Sequence, residues 1–265
     1  AGDAAAVQRE CKRQIAVGRA DLQRHRIAGQ RLGAAGRNRT ALRLLYRDQL
    51  AGRKLCADSM RPRNDELVAV QRLAIQIKLP QERPFLLEGY IYPDTYDFYV
   101  GEGAEKALGR FLANTESKLT DDMYAKAQEI GMSMDEVITL ASIIQQEASV
   151  PSVMANVSSV LHNRLNSSSY PRLQCDATVF YLKRNVKPYI SEDQADKYDE
   201  FYNTYDRKGL PAGPITNPGI EAINAALNPA DTDYYFFVTD NDGSYYFAKT
   251  YQEHLKNCKT AGVAQ

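Results

Sequence analysis

The stretch Ser133-Met-Asp-Glu-Val-Ile-Thr-Leu-Ala-Ser-Ile-Ile-Gln-Gln-Glu147 carries the clearest structural signal in this chain. Its apolar residues recur at helical spacing, and Ser133 followed three residues later by Glu136 is a capping box that marks the start of a helix. Glu147 lies four residues after Ile143 and three after Ile144, so it falls on the apolar stripe. The pattern predicts a helix over Ser133–Ser149 with a carboxyl group on its buried side.

Glu147 is therefore a candidate general acid. Desolvation on the stripe and the negative end of the helix dipole both disfavour ionisation, so we expect the pKa of Glu147 to be raised. A raised pKa suits proton donation near neutral pH. The alternative is a solvated glutamate at a helix end, which is an ordinary position for this residue type.

Six stretches, read together and in order, resemble the endolytic murein transglycosylases of the MltG (YceG-like) family: Leu87–Tyr96, Leu140–Glu147, Asn163–Leu165, Leu173–Tyr181, Tyr202–Tyr205 and Gly209–Gly219. So many ordered motifs are a much stronger signal than one short pattern. The resemblance implies cleavage of nascent peptidoglycan strands between N-acetylmuramic acid and N-acetylglucosamine, leaving a 1,6-anhydro end. It places the family's essential glutamate on Glu147.

Gln145 is the departure from the family pattern that matters most for activity. Many members carry a second acid at this position, and a chain that depended on that acid would be inactive here. We favour Glu147 as the catalytic residue because Gln145 lies about 160° around the helix from it.

The other motif positions supply amides, hydroxyls and aromatic faces that suit a sugar polymer. The candidate substrate-binding residues are Asn163, Gln174, Asp176, Thr178, Tyr202, Asn203, Thr204 and Tyr205. Structural alternatives stay open: Asn163 as a helix C-cap, Asp176 as a cap beside Thr178, and the tyrosines as surface packing. The Pro- and Gly-rich loop Gly209–Gly219 is expected to wall a groove.

Two other functions fit the same residues. An inverting peptidoglycan hydrolase would use Glu147 as the acid and Asp176 as the base. A peptidoglycan-binding scaffold without activity would use neither.

Charge divides the chain near Pro84. Residues 1–84 hold 18 Lys and Arg against 8 Asp and Glu, whereas the totals for the whole chain are 33 and 33. We therefore predict a divergent basic segment over residues 1–84, at the position of the family's LysM-like domain, and a catalytic domain over residues 85–265. The basic segment is either solvated or an electrostatic arm, and it lacks the interleaved aromatic residues typical of a nucleic-acid-binding arm.

Cysteine usage points away from metal chemistry. Cys11, Cys56, Cys175 and Cys258 are scattered, and none forms a Cys/His cluster with zinc spacing. We expect no metal and no cofactor, and we interpret Cys175 as a small pocket-lining residue.

Membrane attachment is implied by the resemblance rather than by this sequence. No stretch approaches the roughly 18 apolar residues that a spanning helix requires. The resemblance implies an N-terminal membrane anchor, a catalytic part on the extracytoplasmic face of the cell membrane, and partnership with cell-wall synthases.

The predicted fold class is α+β, with helices that bear the acid and a small antiparallel hairpin beside them. Residues 185–208 show no clear period. Helices are predicted over Ala104–Leu119, Thr120–Ile130, Ser133–Ser149, Pro151–Asn166, Pro218–Leu227 and Thr250–Lys259, with a short helix within Gln174–Tyr181 and strands at Tyr234–Thr239 and Tyr245–Ala248.

Overall fold

The computed structural model describes residues 82–99, 103–148 and 150–263. Residues 82–92 and 105–263 belong to one compact unit, whereas residues 93–99, 103 and 104 fall in a second unit. The predicted basic segment lies outside the described residues except for residues 82–84, so its separation from the catalytic domain stays a prediction.

The described chain is mixed helical with a small antiparallel sheet, which confirms the predicted α+β class. The helix over Asp176–Tyr181 is followed by a π-helical turn, Leu182–Val186, and by a 3-10 turn, Lys187–Tyr189. In chain order the elements are α1 (Ala104–Lys118), α2 (Asp121–Glu129), α3 (Met134–Glu147), α4 (Pro151–Leu165), α5 (Asp176–Tyr181), α6 (Glu192–Tyr202), α7 (Ile220–Leu227), β1 (Phe236–Thr239), β2 (Tyr245–Ala248) and α8 (Tyr251–Thr260).

Helix α3 begins with the capping box that the sequence predicted. Ser133 Oγ accepts a hydrogen bond from the Glu136 backbone N–H at 3.2 Å, and Glu136 Oε2 accepts one from the Ser133 N–H at 2.8 Å. The middle of the helix is buried on every side rather than along one stripe, because α2, α4, α5 and α7 all pack against it. Its fully buried residues include Val137, Ile138, Leu140, Ala141, Ile143 and Ile144.

The segment 82–92 is fastened to the start of α3 by a buried ion pair. The Arg83 guanidinium donates to both carboxylate oxygens of Asp135, and the Tyr90 hydroxyl donates to the same carboxylate. Asn217 Oδ1 accepts hydrogen bonds from the backbone N–H groups of Gly89 and Ile91 at 2.9 and 3.0 Å. These bonds hold the segment and the 209–219 loop against the same core.

The loop Gly209–Gly219 does not wall the pocket described below, contrary to the sequence-based expectation. It packs against α3 instead, where the Ile215 N–H donates to Ser142 Oγ at 3.0 Å. The Gly219 N–H donates to Gln145 Oε1 at 2.9 Å. Two backbone N–H groups of the loop are therefore bonded to side chains of α3, which fixes the loop against that helix.

Helix α6 was missed because its apolar positions are aromatic and its other face is strongly polar. Tyr198, Phe201 and Tyr202 recur at helical spacing and pack against the core. The predicted hairpin is confirmed: β1 pairs with β2 in the register Phe236 to Ala248 through Thr239 to Tyr245. None of the described helices combines the length and apolar character needed to cross a membrane.

Gly89→Ala is expected to lower the free energy of unfolding by roughly 1–3 kcal/mol more than Gly131→Ala does. Both glycines have left-handed backbones, with φ of +91° and +74°. A Cβ at Gly89 would lie 2.5 Å from Pro214 Cγ and 2.9 Å from Ile138 Cγ2, whereas one at Gly131 would meet no atom within 4 Å. Urea unfolding of the two variants measures the difference, and equal losses would refute the close packing of Gly89 against Pro214 and Ile138.

Candidate active site

A pocket of about 330 Å³ opens where α3 ends, between α4, the loop before α5, and the hairpin with α8. One side carries polar and acidic groups, and the other is formed by aromatic rings. The lining residues are Glu147, Val160, Arg164, Leu173, Gln174, Cys175, Asp176, Tyr205, Tyr235, Phe236, Phe237, Tyr251 and His254.

Glu147 is half-buried in this pocket and is the last residue of α3. Its carboxyl Oε1 accepts a long hydrogen bond of 3.4 Å from the Ala177 backbone N–H, in the first turn of α5. Its own carbonyl oxygen accepts a hydrogen bond from the Tyr245 hydroxyl at 2.8 Å. The end of α3 is thus held by the hairpin while the carboxyl group stays on the pocket wall.

Burial raises the pKa of Glu147, and the nearby negative charge of Asp176 raises it further. The Ala177 N–H opposes this shift because it favours the carboxylate, but burial is the larger effect. The predicted direction of the shift is therefore confirmed. A carboxyl group that holds its proton above its ordinary range can donate that proton to a bound molecule.

Gln145 points away from the pocket. Its side-chain oxygen accepts the Gly219 N–H described above, and the residue is not among those that line the cavity. Glu147 is thus the member of this pair that the fold brings to the pocket.

Asp176 and Tyr205 form a hydrogen-bonded pair at the pocket mouth. The Tyr205 hydroxyl donates to Asp176 Oδ1 at 2.8 Å, and both residues are exposed. Burial of its hydroxyl and the Asp176 charge raise the pKa of Tyr205 well above its ordinary value, so the phenol keeps its proton. The alternative of a side-chain cap is not observed, because α5 begins after Cys175 without a capping bond from a side chain.

Gln174 adopts a backbone conformation that non-glycine residues rarely take, with φ of +55°. Its N–H donates to the Thr204 carbonyl at 3.0 Å, and its side-chain oxygen accepts from Arg164 Nη1 at 2.8 Å. Such strain persists only where the surroundings hold the residue in place, which is common at functional sites.

Thr178 and Thr204 are fully buried behind the pocket wall rather than on it. Thr204 Oγ1 accepts the Cys175 N–H at 2.9 Å, and Thr178 Oγ1 donates to the Cys175 carbonyl at 2.8 Å. The two hydroxyl oxygens lie 3.0 Å apart. Their geometry favours a role in positioning the Gln174–Asp176 loop over direct contact with a substrate.

Three more of the predicted substrate-binding residues lie outside the pocket lining. Tyr202 is 1% exposed, and its ring packs against that of Tyr181 with 5.3 Å between the ring centroids. Asn203 shapes a turn by accepting the Tyr205 N–H at 3.1 Å. Asn163 is not a C-cap, since α4 runs on to Leu165; its Nδ2 donates to the carbonyls of Thr232 and Tyr234 at 2.8 and 2.9 Å.

The aromatic side of the pocket was not found from sequence. It is formed by the residue before β1, by the first two residues of β1 and by two residues of α8. These are Tyr235, Phe236, Phe237, Tyr251 and His254. The available signal was the density of aromatic residues in the predicted hairpin. Sequence reasoning placed Cys175 correctly in the lining, where burial raises the pKa of its thiol well above the ordinary value and keeps it neutral.

Comparison with known proteins gives one consistent answer. The model of the YceG-like family matches residues 26–260, so the match starts within the predicted basic segment. The endolytic murein transglycosylase of Bacillus subtilis strain 168 is 32% identical over 170 residues, which are 64% of this chain and 46% of the relative. That of Streptococcus pneumoniae strain D39 is 29% identical over 178 residues, 65% of this chain and 32% of the relative.

A similar solved structure comes from the same family. The crystal structure of a yceG-like protein from Listeria monocytogenes superimposes with a TM-score of 0.61 at 31% identity, covering 72% of this chain and 63% of that one. The chain spans less than half the length of the two curated relatives that it matches.

Glu147→Gln is expected to increase the free energy of unfolding at neutral pH. Because its pKa is higher in the folded state, the unfolded chain loses this proton first as pH rises, and ionisation then weighs against folding. Below the unfolded pKa both states keep the proton, so the gain disappears near about pH 3.5. Urea unfolding at neutral and acidic pH gives the comparison. Glu200→Gln, on an exposed position of α6, is the matched control, and equal gains in the two variants at neutral pH would contradict the raised pKa.

Thr204→Val is expected to cost roughly 1–3 kcal/mol of folding free energy, because the buried Cys175 N–H loses its acceptor. Thr204→Ser keeps the hydroxyl and is expected to cost less. Urea unfolding of both variants measures this difference. Similar losses for serine and valine would show that the hydroxyl does not hold the loop.

Proposed function

The chain belongs to the YceG-like family, and from this premise we propose that it is an endolytic lytic transglycosylase of peptidoglycan. It would cleave the bond between N-acetylmuramic acid and N-acetylglucosamine in nascent glycan strands and leave 1,6-anhydro ends. The observation that carries the proposal is the half-buried Glu147 carboxyl group, with its raised pKa, in a pocket walled by aromatic rings. The Bacillus and Streptococcus relatives, both endolytic murein transglycosylases, support the same conclusion.

Glu147 acts first as a general acid. It donates its proton to the oxygen that bridges the two sugars while the bond from that oxygen to C1 of the muramic residue breaks. Positive charge develops at C1 and at the ring oxygen, as in other glycosidic cleavages. Burial raises the pKa of Glu147 and so favours the protonated form that this step needs.

Glu147 then acts as a base. The carboxylate takes the proton from the C6 hydroxyl of the same muramic residue, and the C6 oxygen bonds to C1. The nucleophile belongs to the substrate, so proximity replaces a second carboxylate. No water is consumed, so the reaction is an intramolecular transglycosylation, and the enzyme is classed as a lyase.

The rest of the pocket holds the sugar chain. Aromatic faces of Tyr205 and Tyr251, which are 42% and 56% exposed, offer stacking surfaces to sugar rings. Gln174 and Asp176 supply polar groups beside Glu147, and the buried threonines fix the loop that carries them.

An inverting hydrolase is the second candidate, because Asp176 lines the same pocket as Glu147. It would use Asp176 to activate a water molecule, and its product would end in a reducing sugar. The hydrogen bond from the Tyr205 hydroxyl occupies one of the Asp176 carboxylate oxygens, so that oxygen is not free to accept a proton from water.

The proposed location is the extracytoplasmic face of the cell membrane, where nascent glycan strands are found. The family resemblance supports this location and a partnership with cell-wall synthases. Protease accessibility of the chain in spheroplasts, compared with lysed cells, tests the location.

Glu147→Gln is expected to reduce glycan cleavage by at least about a hundredfold, because the amide cannot donate a proton as an acid does. Purified peptidoglycan is digested with each protein, and mass spectrometry identifies the new ends. Wild type should yield 1,6-anhydro ends; reducing ends would support the hydrolase instead. Full activity in the Glu147→Gln variant would overturn the proposed acid.

Gln145→Glu is the matched control for this experiment. A glutamate can still accept the Gly219 N–H, so it restores the family's second acid without placing it in the pocket. We expect cleavage within about threefold of wild type. Rescue of Glu147→Gln by this second change would assign the chemistry to position 145. Wild-type protein that binds strands without cutting them would indicate a scaffold.

A further inference from the structure

Arg164 is a deeply buried cation on the pocket wall, only 6% exposed. Its Nε donates to the Tyr235 carbonyl at 2.6 Å, and Nη1 donates to the Arg172 carbonyl at 2.9 Å and to Gln174 Oε1 at 2.8 Å. The Phe236 ring lies 5.0 Å from the guanidinium carbon. The side chain is thus fixed in place by neutral oxygens and an aromatic face.

One nitrogen of this guanidinium remains available. Within the described part of the chain, Nη2 of Arg164 donates no hydrogen bond, yet it is not among the buried polar atoms left without a partner. Since Arg164 lines the pocket and is otherwise enclosed, the accessible part of the side chain faces the cavity.

The charge of Arg164 is also uncompensated. No ion pair joins it to a carboxylate among the described residues, and its hydrogen-bond partners are all uncharged. Neither Glu147 nor Asp176 bonds to it. A fixed guanidinium with one free N–H face, in a site that is partly shielded from water, binds carboxylate or amide oxygens more strongly than sugar hydroxyls.

We propose that Arg164 Nη2 binds the acyl oxygen of the 3-O-lactyl group of the muramic residue. This inference rests on the proposed function. Both sugars of a glycan strand carry an N-acetyl group, but only the muramic residue carries a lactyl group. The lactyl group ends in a carboxylate in glycan strands without stem peptides, and in an amide where a stem peptide is attached.

Recognition of the lactyl group would decide which bond is cut. A glycan strand alternates two kinds of glycosidic bond, and the pocket has to place C1 of the muramic residue, not of its neighbour, beside Glu147. A contact between Arg164 and the lactyl group fixes the strand in that register. Arg164 is thus a specificity-determining residue, and Gln174 holds its guanidinium in position through Nη1.

The test is binding of single sugars, monitored by NMR titration of the wild-type protein. The probes are N-acetylmuramic acid, its lactyl amide and N-acetylglucosamine. We expect N-acetylmuramic acid to bind roughly tenfold to hundredfold more tightly than N-acetylglucosamine, with the amide in between. The Arg164 Nε–H resonance should shift with the first two sugars only. Equal dissociation constants for all three sugars would overturn the proposal.

Arg164→Lys is expected to bring the three dissociation constants within about threefold of one another, because a lysine loses the fork that fixes the free N–H face. Arg184→Lys is the matched control, since Arg184 is exposed, stacks on Phe180 and lies outside the pocket lining. Preference for N-acetylmuramic acid retained in folded Arg164→Lys would refute the assignment. If that variant does not fold, the wild-type ratio and the Nε–H resonance still decide the matter.

Failure of this inference can be told apart from failure of the proposed function. Single sugars bind without being cleaved, so the affinity ratio does not depend on catalysis. The same titration with Glu147→Gln should give the wild-type ratio. If the sugars bind with equal affinity and the products carry 1,6-anhydro ends, only the role of Arg164 is rejected. If N-acetylmuramic acid binds more tightly as expected but no strand is cleaved, the proposed transglycosylase activity is rejected.

Discussion

Burial of α3 on every side is the constraint on which the rest of the structure depends. Val137, Leu140, Ile143 and Ile144 are completely enclosed, so the helix cannot turn about its axis without exposing apolar surface. The packing of such a helix in the core also fixes the position of its last residue. Glu147 is therefore held at the pocket wall by packing that begins three turns earlier, and the Tyr245 hydroxyl fixes the helix end.

Opposite ends of α3 use charge in opposite ways. At the first turn, Asp135 is paired with Arg83 and accepts from Tyr90, so its charge is matched by a cation and hydrogen bonds. At the last turn, Glu147 has one long hydrogen bond from a backbone N–H and an acidic neighbour, Asp176. The first arrangement stabilises the fold. The second favours the protonated carboxyl group, which can then act as a proton donor.

The sequence was sufficient for features that depend on neighbours along the chain. The Ser133–Glu136 capping box, the hairpin over β1 and β2, and the raised pKa of Glu147 all follow from local spacing and were predicted. The direction in which a motif residue points was not predictable, because it depends on packing between distant segments. Thr204 and Tyr202 belong to one of the family motifs, yet they are buried in the core. The aromatic residues Phe236 and Tyr251 reach the pocket only because β1 packs on α4 and α8 packs on the hairpin.

The separation of Arg164 from Glu147 follows from the same electrostatics. If the guanidinium bonded to Glu147, the positive charge would favour the carboxylate and lower its pKa, and the general acid would be lost. Carbonyl oxygens and Gln174 Oε1 take up the donors of Arg164 without adding negative charge, so they hold the cation on the wall and away from the acid. The strained backbone of Gln174 is understandable in this light, since its left-handed conformation presents an uncharged oxygen to Arg164 at the point where a carboxylate would cancel the charge. The pocket thus holds both a carboxyl group with a raised pKa and a cation that no described carboxylate pairs with, because uncharged oxygens of the loop between α4 and α5 take up donors of Arg164.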